Sequence, residues 1–287
     1  MKRIIFCSLF LSTIYSNGQN GLENIIVEKY YVSDENDTIS NSYAGKLPVG
    51  STTYRIYADM LPGYRFQAAY GSSNHELFIK TSTLFFNNED RGNPIANVMP
   101  QRNLGKNTVM LDSWLSVGAA GEDYFGILKQ DDDSLETVIH EKTFLQNNSF
   151  DGIPLTVNDG LKSGDNVPRP TFYNIDSAVA VFNNTQKGGL FQTKNGAWAC
   201  MGVGSVGIDS LTNNRVLIAQ ITTNGELTFE LNIQIGTPVK GVSQNYVARN
   251  PINKEILLPS LIFNSEDFNS KKFHKKNKKN TSSKKES

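Results

Sequence analysis

The feature that most constrains this chain is a period of two. From Leu227 to Ile235 every second residue is apolar (Leu227, Phe229, Leu231, Ile233, Ile235), and the residues between are Thr228, Glu230, Asn232 and Gln234. Side chains of a strand point alternately to its two faces, so this segment has one buried and one wetted side. Tyr54, Ile56, Ala58 and Met60 repeat the pattern, followed by Tyr64, Phe66, Ala68 and Tyr70 and then by Leu77 and Ile79. Helical spacing at three and four is nowhere sustained.

Turn residues divide these runs. Pro62-Gly63 predicts a type II turn, Gly71 to Asn74 a second turn, and Asn224-Gly225 a type I′ turn after the β-rich run Val216 to Thr222. The expected arrangement is a three-strand meander over Thr52 to Thr81 and a long hairpin ending at Ile235. Further candidate strands are Ile25 to Val32, Val109 to Val117, Tyr124 to Leu128, Ser177 to Phe182 and Trp198 to Val203, with a final edge strand inside Gln244 to Asn264. About ten short strands between Asn, Asp, Gly and Ser clusters describe an all-β fold, an antiparallel β-sandwich or jelly roll. Its loops are long and polar, at Ser33 to Val49, Asn87 to Lys106, Lys129 to Lys142 and Gln146 to Arg169. Residues 21 to 130 and 170 to 250 form either one sandwich or two packed lobes. A weak echo, Phe85-Phe86-Asn87-Asn88 before Trp114 and Val181-Phe182-Asn183-Asn184 before Trp198, reads as a duplicated half-domain or as repetition within β grammar.

The first residues set the expected compartment. Lys2 and Arg3 precede the apolar run Ile4 to Tyr15, which exits through Ser16, Asn17 and Gly18. This is the form of a secretory signal cut before Gln19, too short to span a bilayer. The expected organisation is a signal peptide over 1–18, a β-sandwich domain over 19–265 and a disordered Lys-rich tail over 266–287. The product is then secreted or held at the cell surface, and no later stretch is apolar for long enough to predict a transmembrane span. Beyond residue 18 one cysteine remains, Cys200, so no internal disulfide is expected and Cys200 reads as a packing residue.

The formal charge of zero conceals an uneven distribution. Residues 19–270 hold 18 basic and 27 acidic side chains, a balance of −9, which makes the body a poor polyanion binder. Lys271 to Lys285 is the polycationic segment, eight lysines in all. It reads as a disordered solubilising end, as a contact for nucleic acid, acidic glycan or anionic lipid, or as a partner for the acidic body.

Few chemical signatures are present. His75, His140 and His274 are far apart and no HExxH occurs, although His75-Glu76 and His140-Glu141 each begin one. Gly202 to Gly207 spells GxGxxG, but no helical pattern follows it, and a flexible hairpin is expected. Asp112, Glu122 and Asp123 lie near Trp114, as a glycosidic or lyase site would need, yet sequence does not give their separation. Asp34, Asn36, Asp37 and Thr38 form an alternating cluster that reads either as a calcium-wrapping loop or as a solvated turn. Tyr43, Trp114, Tyr124 and Trp198 are the candidates for stacking on a sugar, and for the two tryptophans the alternative is a core anchor.

Four strings carry a resemblance. Val27 to Ser33 (VEKYYVS), Leu47 to Tyr57 (LPVGSTTYRIY), Asp112 to Leu115 (DSWL) and Arg215 to Gln220 (RVLIAQ) resemble an uncharacterised family of secreted bacterial proteins over roughly Gly21 to Asn253. Those proteins often carry this unit in larger surface or exported chains, some with a C-terminal sorting domain, where this chain has its Lys-rich stretch. The resemblance implies export and brings no activity, ligand or catalytic residue.

The expected function is a non-enzymatic extracellular module that binds a glycan, a matrix component or a surface protein. The alternative is a polysaccharide-active hydrolase or lyase on a jelly-roll scaffold. Calcium is the one cofactor with candidate ligands.

Overall fold

A computed structural model describes residues 20–267, apart from 36, 38–44, 46, 107, 133–137, 142–143, 148–158 and 184–186. The expected signal, the Lys-rich tail, Tyr43 and Asn36 lie outside the described residues. Among the described residues the fold is mostly β, 41% strand and 13% helix, and the helices are short. Among the described residues none of them is long and apolar enough to cross a membrane.

The strands begin with β1 Leu22–Val32, β2 Thr52–Met60, β3 Arg65–Tyr70, β4 Leu77–Thr81 and β5 Trp114–Leu115. They continue with β6 Ala119–Gly121, β7 Tyr124–Gly126, β8 Val138–Glu141, β9 Phe144–Asn147 and β10 Leu161–Ser163. Next come β11 Thr171–Tyr173, β12 Leu190–Thr193, β13 Ala197–Ala199, β14 Asn214–Thr223 and β15 Leu227–Glu230. The last are β16 Ile233–Gly236, β17 Ser243–Val247, β18 Ile256–Leu257 and β19 Ile262–Asn264.

A central sheet has the order β5-β14-β2-β1-β9-β8, antiparallel except between β1 and β9. A second sheet has the order β11-β13-β3-β16-β17-β18, with only β17 and β18 parallel. A third runs β12-β4-β15-β19, and a small meander runs β10-β7-β6.

The core explains why the central strands are so apolar. Ile25 and Val27, Ile56 and Ala58, and Val216 and Ile218 pack in one cluster with Phe66, Trp198 and Ile233 of the second sheet and Ile79, Phe191 and Phe229 of the third. Their sequence neighbours Ile26, Tyr57 and Leu217 enter another cluster with Leu111, Trp114, Leu128 and Leu161. The central sheet is thus covered on both faces, so β2 and β14 are buried almost throughout. Alternation along them separates one core from another rather than core from water.

Two expected pairings are corrected. The strands of the presumed meander are real, but β2, β3 and β4 belong to three different sheets. The turn between β2 and β3 has the expected chemistry, since Gly63 has φ +85° and the Tyr64 N–H donates to the Leu61 carbonyl at 3.2 Å. Likewise β14 and β15 do not pair as a hairpin. β15 pairs with β4 and β19, and neither Asn224 nor Gly225 has the positive φ of a type I′ turn. Side chains hold this crossing instead: the Glu226 N–H donates to Ser82 Oγ at 2.8 Å, and Thr83 Oγ1 donates to Asn224 Oδ1 at 2.8 Å.

Two expected strands are helical turns. Asp176–Val179 is α-helical and Ala180–Phe182 is a 3₁₀ turn, because buried Ile175, Val179 and Phe182 recur at spacings of four and three. Val109–Leu111 is a 3₁₀ turn with all three side chains buried, and only Trp114–Leu115 of that stretch is strand. The two halves of the weak echo meet, with Phe85 and Phe182 ring centroids 5.2 Å apart and Asn87 Nδ2 donating to the Val181 carbonyl at 2.8 Å.

Candidate functional site

Two polar groupings stand out, one sealed and one open. The sealed one lies between the central sheet and the loops that cover it. Glu28 and Arg55 face each other across β1 and β2 and are each 1% exposed. Arg55 donates from Nε to Gln220 Oε1 at 2.8 Å and from Nη1 to the Gly160 carbonyl at 2.9 Å. Glu28 accepts from the Lys129 N–H at 2.7 Å and from the Tyr57 hydroxyl at 3.2 Å. Tyr30 donates to the Asp159 carbonyl at 2.7 Å, and Gln220 Nε2 donates to the Met110 and Asp112 carbonyls at 2.9 and 2.7 Å.

The pattern is consistent: side chains of regular strands satisfy carbonyls of irregular backbone laid over them. Burial pushes the Glu28 carboxyl up, and the charges of Arg55 and Lys129 oppose it. This seam fastens the covering layer, and its groups are spent on one another.

Asp112, a candidate acid in the sequence, belongs to the same interior. Its two carboxylate oxygens accept the Asn88 and Asn93 N–H groups at 2.8 and 2.7 Å, which shapes the loop between them. A Cβ on Gly92 would stand 2.7 Å from Asp112 Oδ1, so only glycine permits this approach. Burial pushes the carboxyl up to about 8. Glu122 and Asp123 are exposed, so the three acids do not converge as a catalytic pair would.

The remaining sequence candidates are dispersed. Trp114 and Trp198 are 1% and 0% exposed and anchor the two cores, so neither ring face is open to a sugar. Trp198 donates to the Ile218 carbonyl at 3.1 Å. Tyr124 is half-buried and its hydroxyl is engaged by Gln101 Nε2. Asp37 accepts the Tyr31 hydroxyl at 3.0 Å and the Asp34 N–H at 2.9 Å, and its own N–H reaches Asp34 Oδ1 at 3.3 Å. These bonds knit the two aspartates into the end of β1. Among the described residues no three His, Cys, Asp or Glu side chains gather as a metal site. Cys200 is half-buried, and burial pushes its thiol up, the direction opposite to that of an activated thiol.

The open grouping is on the outer face of the second sheet. The β-ladder registers place Tyr173, Ala197 and Tyr70 side by side in one row across β11, β13 and β3. The next row is Thr171, Ala199, Ala68, Gln234 and Asn245, across five strands. Opposite residues of these strands, Phe66, Trp198 and Ile233, point into the core. A bulge between Gln234 and Ile235 opposite Phe66 and Ala68 sets this parity.

The result is a depression of about 440 Å³ lined by Ala68, Ala197 and Ala199, by Tyr70 and Tyr173, by Met201 beyond Ala199 and by the amides of Gln234 and Asn245. Tyr173 is 46% exposed and Met201 54%. Gln234 Nε2 donates to Asn245 Oδ1 at 3.1 Å, which leaves Gln234 Oε1 and Asn245 Nδ2 to meet a hydroxyl. No charged side chain lines the depression. Burial pushes the Tyr70 phenol up to about 12, with the Glu255 carboxylate adding to it, the wrong direction for a general base at neutral pH.

None of the lining residues was a site candidate in the sequence. The available signal was alanine at the outward positions 68, 197 and 199, since alanine is depleted in strands and leaves an outer face hollow. Recognising it requires knowing that β13 and β3 are neighbours. Comparison with family models, with curated proteins and with solved structures returned no match.

Proposed function

We propose that this chain is an exported, non-enzymatic binding module whose ligand lies on the outer face of the second sheet. The observation that carries the reading is the row Tyr173, Ala197, Tyr70, which sets two aromatic rings astride a hollow on a solvent-facing sheet. A concave apolar surface with a few convergent polar groups is the usual form of a ligand site. The buried acids Asp112 and Glu28 are committed to structure: Asp112 holds a loop, and Glu28 holds the covering layer.

Export is supported by Lys2, Arg3 and the apolar run that follows them. Expression in a bacterial host with a working secretory pathway tests it, and a secreted product starting at Gln19 is expected. A product retained in the cell with Met1 in place overturns this part of the reading.

Ala197→Arg tests the site, because it fills the hollow with a charged chain while leaving the core residue Trp198 in place. The variant is expected to lose retention on extracellular glycan and surface-protein preparations that hold the wild type. Unchanged retention overturns the assignment of the face.

A further inference from the structure

Resting on that assignment of the binding face, we infer that the ligand is a neutral, linear glycan whose sugar rings stack on Tyr173 and Tyr70 across the Ala197 hollow. Three properties of the face select this chemistry. The first is charge. The body balances 27 acids against 18 bases, yet none of these charges lines the depression. A uronate, sulfate or phosphate would be desolvated there without a partner, and the Glu255 carboxylate that acts on Tyr70 would repel it, so an anionic ligand is disfavoured.

The second property is the combination of ring walls with amides. A pyranose is an amphipathic disc, apolar C–H on its faces and hydroxyls around its rim. Tyrosine offers a flat apolar surface, and Gln234 with Asn245 offers one acceptor and one donor at the end of the row beside it. A purely apolar ligand would strand those amide groups, and a purely polar one would gain nothing from the walls.

The third is spacing. Tyr173 and Tyr70 occupy the same register on strands separated by β13, so their Cα atoms are two strand spacings apart, ~9.5 Å. That is close to two repeats of an extended pyranose chain, so the two rings take sugars i and i+2, and the alanine between them leaves room for the intervening sugar. The floor is rigid, since Ala68 and Ala199 are set by the same strands that bury Phe66 and Trp198. The ligand therefore meets a preformed surface, and little loop ordering opposes binding.

Titration calorimetry of the full exported protein with neutral oligosaccharides tests this, using β-1,4-linked glucose, mannose and xylose series from mono- to hexasaccharide. Polygalacturonate and hyaluronan serve as acidic counterparts. At least one neutral series is expected to bind, with affinity rising from disaccharide to tetrasaccharide. Tyr173→Ala should weaken it about tenfold and Ala197→Arg should abolish it. Both variants should melt within about 3 °C of the wild type, because neither position is in a core cluster. The remote, 86% exposed Leu211→Ser is the control and should bind as wild type.

No binding of any neutral series, or neutral binding indifferent to both face variants, overturns the inference. Acidic-chain or protein binding that Ala197→Arg abolishes also overturns it, while leaving the face as the binding surface. If every ligand the protein retains is retained equally by Ala197→Arg, the inference and the functional reading beneath it fail together.

Discussion

The guanidinium carbon of Arg55 stands 3.6 Å from the centroid of the Tyr30 ring, with both side chains fully enclosed between the central sheet and its covering loops. Stacking fixes the plane of the guanidinium, and that plane directs its donors to Gln220 and to the Gly160 carbonyl. Arg55→Met keeps much of the volume but leaves Glu28 buried opposite an apolar chain and the Gly160 carbonyl without its donor. It should destabilise the protein by about 3–5 kcal/mol. Glu28→Gln in the same background should recover part of that loss, so the double variant is more stable than the two single effects combined. Urea unfolding of the four proteins checks this, and strict additivity would count against a coupled seam.

Asp112 gives the fold a pH dependence of definite sign. Its carboxyl is pushed up to about 8 in the folded protein, against ~3.9 in an unfolded chain. The folded state holds a proton that the unfolded state releases, so this contribution is complete below about pH 4 and is lost as pH rises toward 8. The slope in that window approaches ~1.4 kcal/mol per pH unit, and Glu28, also raised, acts in the same direction. Asp112→Asn should lower stability at acidic pH by about 1–3 kcal/mol, since one backbone N–H loses its acceptor, and should flatten the slope. Urea midpoints between about pH 5 and pH 8 decide the matter; parallel slopes for wild type and variant would refute it.

The legible part of this fold was local. Periodicity located β2, β3 and β4, β-rich composition located β1 and β14, and Pro62-Gly63 gave its turn type, because all of these depend on residues next to one another. The partners of those strands were not legible. β2, β3 and β4 follow one another in sequence, yet each joins a different sheet, a choice made by packing between distant segments. The central sheet misled for a related reason: Tyr57 and Leu217 look outward by alternation but face a second core supplied by residues 96 to 161. Nor did Tyr70, Tyr173 and Gln234 form any motif, being 61 residues or more apart along the chain from one strand to the next. Aromatic content pointed to Trp114 and Trp198, the residues large enough to be claimed by the cores first.

The two tryptophans are the only ones in the sequence, and each reports on one core. Native fluorescence should be blue-shifted and resist iodide quenching, and both properties should vanish on unfolding. The two are not equivalent. Trp198 donates to the Ile218 carbonyl, whereas the buried Trp114 Nε1 has no acceptor among the described residues. Trp198→Phe should therefore cost about 1–2 kcal/mol more than Trp114→Phe. Equal losses in thermal or urea unfolding would show that the Ile218 bond adds nothing.

Asn232 is the one polar residue of the Leu227 to Ile235 run that is buried, 1% exposed where alternation predicts a wetted side chain. It stands where the chain leaves the third sheet as β15 and enters the second as β16. Its Nδ2 donates to the Tyr70, His75 and Glu76 carbonyls at 3.1, 3.3 and 3.3 Å, joining the turn after β3 to this crossing. Asn232→Ala should destabilise by about 1–3 kcal/mol through the orphaned carbonyls. Asn232→Asp should do more harm at neutral pH, because an introduced carboxylate would face three carbonyl oxygens with no proton to offer. Protonation restores a donor, so the folded pKa of the new group lies above its unfolded value and the variant regains stability as pH falls. Thermal melts at about pH 7 and about pH 4.5 should show the Asp variant below the Ala variant at the first and closing on it at the second. A fixed gap between them would mean that the amide donors of Asn232 do not hold the two sheets at this crossing.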